Sequence, residues 1–346
     1  MGGAATAAVA AVAVGAPVTV GDAPELDWLA SAGTREALAG LDRRMRDAVA
    51  ASDPALWAMA TALQRRGGKR IRPALLLVAA EFGTVRSVHL LDAAAALELL
   101  HLASLYHDDV MDRAVTRRHG PSVNAEWGEP AAVVAGTFLV ARAIALLAAF
   151  DDRYGREAAA ALVALCTGQL RETENAFHTG LTEAEHLEII AGKTATLFEL
   201  PCRLGALLAG APPATVEALA GYGHDLGVAF QLADDALDVR GSYAALGKRP
   251  LTDVREGIYT MSVLRLLARD TPAAGRVRDL LEVREPTPAE LAEVAELVVA
   301  SGAVDEVLGE ARSRAARAAR RLDPLPPGPA RDSLVRLADY AVTRAG

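Results

Sequence analysis

Apolar residues recur along nearly the whole chain at the three- and four-residue spacing of an α-helix, rather than in the alternation of a β-strand. Ala, Leu, Glu and Arg, which favour helices, dominate the composition. Residues 88–106 and 131–150 are apolar on most faces, which is typical of helices at the centre of a bundle. Capping boxes at Thr182 and Thr287 indicate two helix starts, and prolines mark many of the breaks. The pattern predicts an all-α fold of about a dozen helices.

No Gly/Ser linker or change in composition divides the 346 residues. Residues 1–21 form an uncharged, alanine-rich stretch that lacks the positive start of a signal peptide and, with Pro17, makes a poor membrane span. We therefore expect a disordered extension over residues 1–21 and a single all-α domain over residues 22–346. No other uninterrupted apolar run approaches the length of a membrane span, so stable membrane insertion is not expected.

The charge balance narrows the choice of function. The chain carries 36 basic and 44 acidic residues, a net charge of −8. This balance argues against a nucleic-acid partner, because phosphate contacts need clustered basic residues. The two cysteines, Cys166 and Cys202, can form no disulfide framework and match no metal-binding spacing. A reducing, cytoplasmic location is therefore expected.

Two acidic clusters interrupt otherwise apolar helices. The clusters are Asp108, Asp109 and Asp112, and Asp234, Asp235 and Asp238. In each, the outer aspartates are four residues apart, so both project from one helix face about 5.4 Å apart. Unpaired carboxylates on a buried face are costly, and Mg²⁺ held by carboxylates and substrate phosphates would compensate for that cost. A solvated helix end would explain either cluster alone, but two clusters on core-like helices favour a metal site.

Lysine is rare and placed in motif-like segments. The 36 basic residues include three lysines, Lys69, Lys193 and Lys248, and each of them follows a glycine. A compact ammonium group is a common phosphate binder, although chance within an arginine-rich composition is the alternative. The arginine pair Arg117–Arg118 and the basic segment around Lys69 lie near the acidic clusters in this pattern, and we interpret them as clamps on polyphosphate rather than surface ion pairs.

Taken in order, these segments resemble the trans-isoprenyl diphosphate synthases, the polyprenyl synthetase family, and most of all its bacterial medium- and long-chain members. The matching segments are GGKRIRP at 67–73, HLASLYHDDVMDRA at 101–114, GQLRET at 168–173, GKTATLF at 192–198, FQLADDALD at 230–238 and GKRPLTDVREG at 247–257. Their order and spacing make the resemblance far more specific than a single DDxxD pattern.

The resemblance implies an antiparallel helical bundle around a central apolar cavity, assembled as a homodimer. It also implies a prenyltransferase that condenses isopentenyl diphosphate with an allylic prenyl diphosphate, using three Mg²⁺ ions per active site. The implied metal ligands are Asp108, Asp109, Asp112 and Asp234, with Asp235 and Asp238 assisting. The implied contacts to the allylic diphosphate are Arg117, Lys193, Thr194, Gln231 and Lys248. The implied contacts to isopentenyl diphosphate are Lys69, Arg72, His101 and Arg118. The residues expected to be catalytic are Asp108, Asp109, Asp112, Arg117, Lys193, Asp234 and Lys248.

Ala103 and Ser104 are expected to influence product length. They lie one helical turn before Asp108 on roughly the same face, where short-chain members of the family often carry an aromatic residue. Two small residues here favour an open tunnel and a medium or long product, and a tunnel floor supplied by another helix is the alternative. A short-chain geranylgeranyl or farnesyl diphosphate synthase therefore remains an alternative.

The sequence departs from the family pattern at four positions, which are Val115, His119, Thr137 and Ile258. None of these is an expected metal ligand, so the departures affect rate and substrate choice more than reaction class. A class I terpene cyclase is a second alternative, but it would not need Lys69, Arg72 and His101. A non-catalytic subunit of a heteromeric synthase is a third, but such a subunit should have lost aspartates.

Overall fold

The computed structural model describes residues 26–51, 53–85, 87–241, 251–282 and 286–343. The first half contains α1 (Ala32–Ala39), α2 (Leu41–Ala48), α3 (Pro54–Ala60), α4 (Ala62–Arg65), α5 (Ile71–Ala80), α6 (Leu90–Met111), β1 (Thr116–Arg117), β2 (Gly120–Pro121), α7 (Val123–Trp127) and α8 (Glu129–Ala148). The second half contains α9 (Asp152–Glu174), α10 (Glu183–Ile190), a π-helical turn (Ala191–Ala195), α11 (Thr196–Leu208), α12 (Pro213–Arg240), α13 (Thr252–Arg255), α14 (Met261–Leu267), α15 (Pro272–Leu281), α16 (Pro288–Ala300), α17 (Ala303–Arg321) and α18 (Pro329–Thr343). These elements confirm the all-α prediction, and the extension predicted over residues 1–21 lies outside the described residues.

The two helices that carry the acidic clusters, α6 and α12, run through the middle of the molecule. α6 packs against α5 and α8, while α12 packs against α11 and α17. The larger of two buried apolar clusters joins the first half of the chain to α11 and α18. The smaller cluster joins α10 and the C-terminal half of α12 to helices α13–α17. Both clusters include residues of α12, so this helix connects them.

Both helix starts predicted from capping boxes are present. The Thr182 hydroxyl accepts a hydrogen bond from the Glu185 backbone N–H, and the Glu185 carboxylate accepts one from the Thr182 backbone N–H at 2.9 Å. Thr287 and Glu290 make the same pair of bonds at the start of α16. Each box satisfies two backbone donors that the helix itself leaves unbonded, which fixes where α10 and α16 begin.

The two-residue connection of the small β1–β2 hairpin is strained. Its residues, Arg118 and His119, both have left-handed φ angles, 51° and 59°. This conformation suits the twist of a hairpin but favours glycine or asparagine. The hairpin therefore orients Arg117 and Arg118 differently despite their adjacency in the sequence.

The helical backbone continues without a break after α10, because the π-helical turn joins α10 directly to α11. α9 crosses this turn with backbone against backbone. A Cβ atom on Gly168 would lie 2.6 Å from the Lys193 backbone nitrogen, and one on Gly192 would lie 2.9 Å from the Ala164 carbonyl oxygen. Glycine at both positions permits the close approach, which brings Lys193 beside α9.

One helix among the described residues, Glu129–Ala148 (α8), is long and apolar enough to cross a membrane, with a mean hydropathy of 2.1. Arg142 interrupts this helix, so α8 is not an exception to the expectation that no uninterrupted apolar run outside residues 1–21 approaches that length. Only 33% of its most apolar window is buried. Its Arg142 side chain donates a hydrogen bond to the Ala48 carbonyl oxygen, which ties the helix to the end of α2.

Asp225 links α12 to α17 and gives a first stability prediction. This fully buried carboxylate accepts hydrogen bonds from Arg317 and, at 2.7 Å, from Arg321. Burial alone would raise the pKa of Asp225, but the two arginine bonds outweigh it and lower the pKa. We expect Asp225→Asn to reduce the free energy of unfolding near neutral pH by about 1–3 kcal/mol, because bonds to charged groups are worth about that much.

The same prediction has a pH dependence of definite sign. A lowered folded-state pKa stabilises the protein above the unfolded-state value of 3.8, and this contribution is lost as the pH falls through the folded-state value. The gap between wild type and Asp225→Asn should therefore shrink in acid. Urea unfolding near neutral pH and at about pH 3 measures both gaps, with Asp279→Asn on the exposed face of α15 as the control. Equal stability of the two proteins near neutral pH would contradict the prediction.

Candidate active site

The structure brings both acidic clusters to one pocket of about 250 Å³. Asp108 and Asp112 line it from the C-terminal end of α6, and Asp234 and Asp235 line it from α12. The side walls come from α9, α10, the π-helical turn and the loop after α13. The four-residue spacing of Asp108 and Asp112 accounts for their common face.

The pocket is strongly acidic. Its lining contains seven carboxylates, which are those of Asp108, Asp112, Glu172, Asp234, Asp235, Asp253 and Glu256. Arg117 and Lys193 are the cationic side chains that line it with them. Burial, with added repulsion from neighbouring carboxylates, raises the pKa of Asp108 to about 6 and that of Asp253 to about 8. The pocket therefore carries a concentration of negative charge that divalent cations would relieve.

The donor set fits Mg²⁺ bound together with a diphosphate. Mg²⁺ takes hard oxygen ligands and usually keeps only one or two protein carboxylates beside substrate phosphates and water. Within the described residues, no three acidic, histidine or cysteine side chains converge closely enough to hold an ion by themselves. Oxygen-rich walls without such a cage suit a metal whose coordination a phosphate completes.

The second aspartate of each cluster points about 100° away from the first, because adjacent residues on a helix are rotated by that angle. Asp109 is 1% exposed and accepts a hydrogen bond from Arg117 Nε at 2.7 Å. Asp235 is 4% exposed and accepts one from Gln231 Nε2 at 2.8 Å. Asp109 does not line the pocket. Asp238 also lies outside the pocket lining. Burial is the main cause of the raised pKa of Asp253, and repulsion from the Asp238 carboxylate is the next.

The π-helical turn supplies the polar groups that face the aspartates. Lys193 donates a hydrogen bond to Glu172 of α9 and forms an ion pair with it. Burial would lower the pKa of Lys193, but Glu172 and Asp108 outweigh it and raise the pKa. The Thr194 hydroxyl donates to Gln231 Oε1 at 2.8 Å. Three of the predicted contacts to an allylic diphosphate, Lys193, Thr194 and Gln231, thus lie together in the pocket wall with Arg117.

The residues predicted to bind isopentenyl diphosphate lie outside the acidic pocket. Arg72 lies in the first turn of α5, His101 lies in α6 and Arg118 is the first residue of the hairpin turn, and their charges interact. Burial and then the nearby arginines hold the pKa of His101 well below its ordinary value. Arg118 donates hydrogen bonds to the carbonyl oxygens of Leu63, at 3.0 Å, and Gly67.

Two polar atoms of this cationic cluster are left without partners. Arg72 Nε and His101 Nδ1 are buried and make no hydrogen bond among the described residues. Burial and then Arg118 lower the pKa of Arg72 to about 10, although Glu98 acts in the opposite direction. Glu98 itself binds Arg70 at 2.6 Å. An anion is the ligand that such a cluster would accept.

The remaining predicted positions are placed as follows. Lys69 lies half-buried in the loop before α5, and Lys248 lies outside the described residues. Ala103 is enclosed in the larger apolar cluster, while Ser104 is partly exposed and donates a hydrogen bond to the His101 carbonyl oxygen. Neither Ala103 nor Ser104 lines the pocket, which ends at Leu105 on this helix.

The departures from the family pattern fall in different surroundings. Val115 and Thr137 are exposed and lie outside the pocket lining, whereas Ile258 lines the pocket. His119 occupies a left-handed position that favours glycine, which explains the glycine of the family pattern there.

Five polar residues of the pocket were not predicted from the sequence, which are Glu172, His186, Asp253, Glu256 and Thr260. Glu172 and Asp253 lie inside the segments GQLRET and GKRPLTDVREG, so their position in those motifs was the available signal. His186 carries a weaker signal. It shares the helical spacing of Ile189, Ile190 and Lys193, which places a polar residue on an otherwise apolar face.

A family model described as polyprenyl synthetase matches residues 53–298. The nonaprenyl diphosphate synthase of Mycobacterium tuberculosis is 36% identical over 332 residues, which cover 95% of this chain and 99% of that protein. The geranylgeranyl diphosphate synthase of Methanosarcina mazei is 35% identical over 286 residues, which cover 80% of this chain and 86% of that protein.

Solved structures give the same result. The crystal structure of a polyprenyl synthase from Caulobacter crescentus, complexed with calcium and isoprenyl diphosphate, matches with a TM-score of 0.86 at 36% identity. The match covers 90% of this chain and 96% of that one. These similarities confirm the resemblance drawn from the motifs and the predicted fold class.

Proposed function

The chain belongs to the polyprenyl synthetase family and is a prenyltransferase, and we propose that it joins isopentenyl diphosphate to an allylic prenyl diphosphate between its acidic pocket and its cationic cluster. The observation that carries this proposal is the separation of two phosphate environments. One is acidic and suited to a metal-bound diphosphate, and the other is cationic and retains unpaired buried donors. The product is a medium- or long-chain trans-polyprenyl diphosphate.

The reaction needs no nucleophile from the protein. The C–O bond of the allylic diphosphate breaks, and the diphosphate leaves with the electron pair. The double bond of isopentenyl diphosphate then attacks the allylic carbon, which forms the new C–C bond. A proton leaves the adjacent carbon to restore a double bond, and the departed diphosphate takes it. The pocket carboxylates would hold Mg²⁺, three ions being proposed, and the bound metal would supply neutralisation of charge on the leaving group.

The chain's own residues hold the two substrates. Arg117, Lys193, Thr194 and Gln231 orient the allylic diphosphate, and Lys248 remains a predicted member of this set. Arg72, His101, Arg118 and Lys69 hold isopentenyl diphosphate. Asp108, Asp112 and Asp234 are proposed as the metal-facing carboxylates, with Asp238 assisting, while Asp109 and Asp235 hold neighbouring polar groups in place. Preorganised charges of this kind act where charge develops in the transition state.

Two alternative functions are less well supported. A terpene cyclase would not need a second diphosphate site, yet beside Arg118 the Arg72 Nε and His101 Nδ1 atoms are buried without a hydrogen bond among the described residues. A non-catalytic subunit would not need a complete acidic pocket. A short-chain product is the alternative that product sizing would reveal, because a geranylgeranyl diphosphate synthase is among the relatives.

Incubation of the full chain with Mg²⁺, labelled isopentenyl diphosphate and each allylic primer from five to twenty carbons tests the proposal. We expect a ladder that ends in one main polyprenyl diphosphate, sized by liquid chromatography and mass spectrometry. Consumption of the primer without uptake of label, with release of a hydrocarbon, would instead identify a cyclase.

Product length should respond to Ser104. One helical turn is about 5.4 Å, comparable to an isoprene unit, so a large side chain at this level should stop growth after few condensations. We expect Ser104→Phe or Ala103→Phe to shorten the main product towards fifteen or twenty carbons while turnover is retained. Overpacking costs roughly 1–3 kcal/mol, so thermal unfolding is measured alongside product size. An unchanged product from a folded, active variant would assign the floor to another helix.

We propose that the protein is a cytoplasmic homodimer in which α8 and α9 form the interface. Large apolar side chains are exposed on both helices, including Val133, Val134, Val163 and Leu170. α8 and α9 pack against each other, and extensive exposed apolar surface is uncommon on a monomer. A second copy would cover the apolar face of α8 that the chain itself leaves exposed.

Charge introduced into this face should dissociate the dimer. We expect Val134→Asp with Val163→Asp to halve the molar mass measured by light scattering during gel filtration, because a buried unpaired carboxylate is costly. Val88→Asp is the matched control, since Val88 is 87% exposed and lies outside both helices. A wild-type protein that elutes as a monomer would refute the dimer, and an unchanged mass in the double variant would refute this interface.

A further inference from the structure

His186 is a buried polar residue of the pocket that no role above uses. It lies on α10, where the other buried residues are Ile189 and Ile190. Its ring is 6% exposed and lines the pocket. The ring Nε2 lies 3.3 Å from Oδ2 of Asp235. Because a carboxylate oxygen only accepts hydrogen bonds, Nε2 carries the proton of this contact.

This contact completes a chain of hydrogen bonds across the pocket wall. The Thr194 hydroxyl donates to Gln231 Oε1 at 2.8 Å, and Gln231 Nε2 donates to Asp235 Oδ1 at 2.8 Å. His186 occupies the second oxygen of the same carboxylate. Both oxygens of Asp235 are therefore engaged by side chains from α10 and α12, and the orientation of the Gln231 amide is fixed by its bond to Asp235.

This chain of hydrogen bonds connects residues that have different proposed roles. Gln231 and Thr194 face the position proposed for the allylic diphosphate, while Asp235 is adjacent to Asp234 on α12. A rotation of the Asp235 carboxylate would release the Gln231 amide and remove the acceptor of the Thr194 hydroxyl. Mutation of a side chain that orients a ligand-binding residue in this way commonly weakens ligand binding.

We propose that His186 is a positioning residue for the prenyl transfer, acting through Asp235 to fix Gln231 and Thr194 against the diphosphate with its metal. The inference rests on the proposed function and assigns a part in it to a residue outside the motif segments. Packing alone accounts poorly for His186, since its neighbours on the buried face of α10 are isoleucines and an apolar side chain would fill the same space at lower cost.

The test compares His186→Leu with His186→Gln in the full chain. Leucine keeps the bulk without a donor, whereas the glutamine amide retains an N–H that can reach Asp235. Calorimetric titration with inorganic diphosphate in the presence of Mg²⁺ measures binding without turnover. We expect the leucine variant to bind about 10–100-fold more weakly, the loss typical for a group that orients metal ligands, and the glutamine variant to recover most of it. The KM for the allylic substrate should rise with that for isopentenyl diphosphate unchanged.

His224→Leu is the matched control, because His224 makes a similar contact, Nδ1 to Glu199 Oε2 at 3.4 Å, outside the pocket. A second control is the Asp235→Asn background, where the amide nitrogen cannot accept the His186 proton. His186→Leu should then add little further loss, because residues acting through one group are not additive.

The outcomes separate the inference from the proposed function. Wild-type protein that makes no elongated product refutes the proposed function. Wild-type product together with unchanged diphosphate binding in His186→Leu refutes the role of His186. Equal losses in the leucine and glutamine variants, or a full additional loss in the Asp235→Asn background, would also refute it, because the effect would then come from packing.

Discussion

Replacing Asp108 by alanine is expected to lower kcat by at least about 10²–10³-fold, the scale for removal of one group that stabilises charge in the transition state. Asp108 lines the pocket, and burial raises its pKa to about 6. Its negative charge is therefore unfavourable when no cation is bound beside it. A metal bound with diphosphate makes that charge favourable. Removal of Mg²⁺ by a chelator should abolish turnover of the wild type, and product formation in a timed assay measures both effects.

Asp279→Ala on α15 provides the control for this loss, because that aspartate is exposed and distant from the pocket lining. Thermal unfolding should show that Asp108→Ala is folded and at least as stable as wild type without metal, since a desolvated carboxylate has been removed. Activity near the wild-type level in Asp108→Ala would refute its assignment as a metal-facing residue.

Arg72→Met should lower kcat/KM for isopentenyl diphosphate by about 10²-fold or more, the cost of removing one partner from a buried, hydrogen-bonded charge pair. The same substitution should not lower the free energy of unfolding measured without substrate. Burial lowers the pKa of Arg72 to about 10, so its charge is disfavoured there, and Nε lacks a partner among the described residues. Methionine preserves packing against the Phe198 ring, over which the guanidinium lies at 5.1 Å.

Arg70→Met gives a contrast two residues away. Arg70 is buried and bonded to Glu98 at 2.6 Å and to Asp42 at 2.9 Å, and these carboxylates raise its pKa despite burial. Its loss would leave Glu98 buried without that partner and should cost about 3–5 kcal/mol. Denaturant unfolding and steady-state kinetics on both variants compare the two arginines. A large stability loss in Arg72→Met, with an unchanged KM for isopentenyl diphosphate, would make Arg72 structural.

The sequence predicted the pocket because its signal is local. The spacing of Asp108 and Asp112 places both on one helix face, and the helical pattern predicts that this helix is buried. The hydrogen-bond partners of Asp109 and Asp235, in contrast, could be identified only from the structure. The partner of Asp109 is Arg117 on a hairpin, and the partner of Asp235 is His186 on α10, 49 residues earlier. Only tertiary packing brings such groups together.

Glu172 shows the same limit. Its place in GQLRET was visible, but its pairing with Lys193 depends on two glycines that let α9 touch the π-helical turn. Single-sequence periodicity cannot distinguish five π-helical residues from the α-helix on either side. The left-handed pair Arg118 and His119 was equally hidden, because neither residue is a glycine, the residue that most readily adopts that conformation.

The π-helical turn sets how α10 and α11 are oriented relative to each other. It places one residue more between them than an unbroken α-helix would hold. Each residue of an α-helix accounts for about 100° of rotation, so this extra residue decides which side chains of the two segments share a face. The pocket wall takes His186 from α10 and Lys193 and Thr194 from the turn itself, and its composition therefore depends on this one irregular turn.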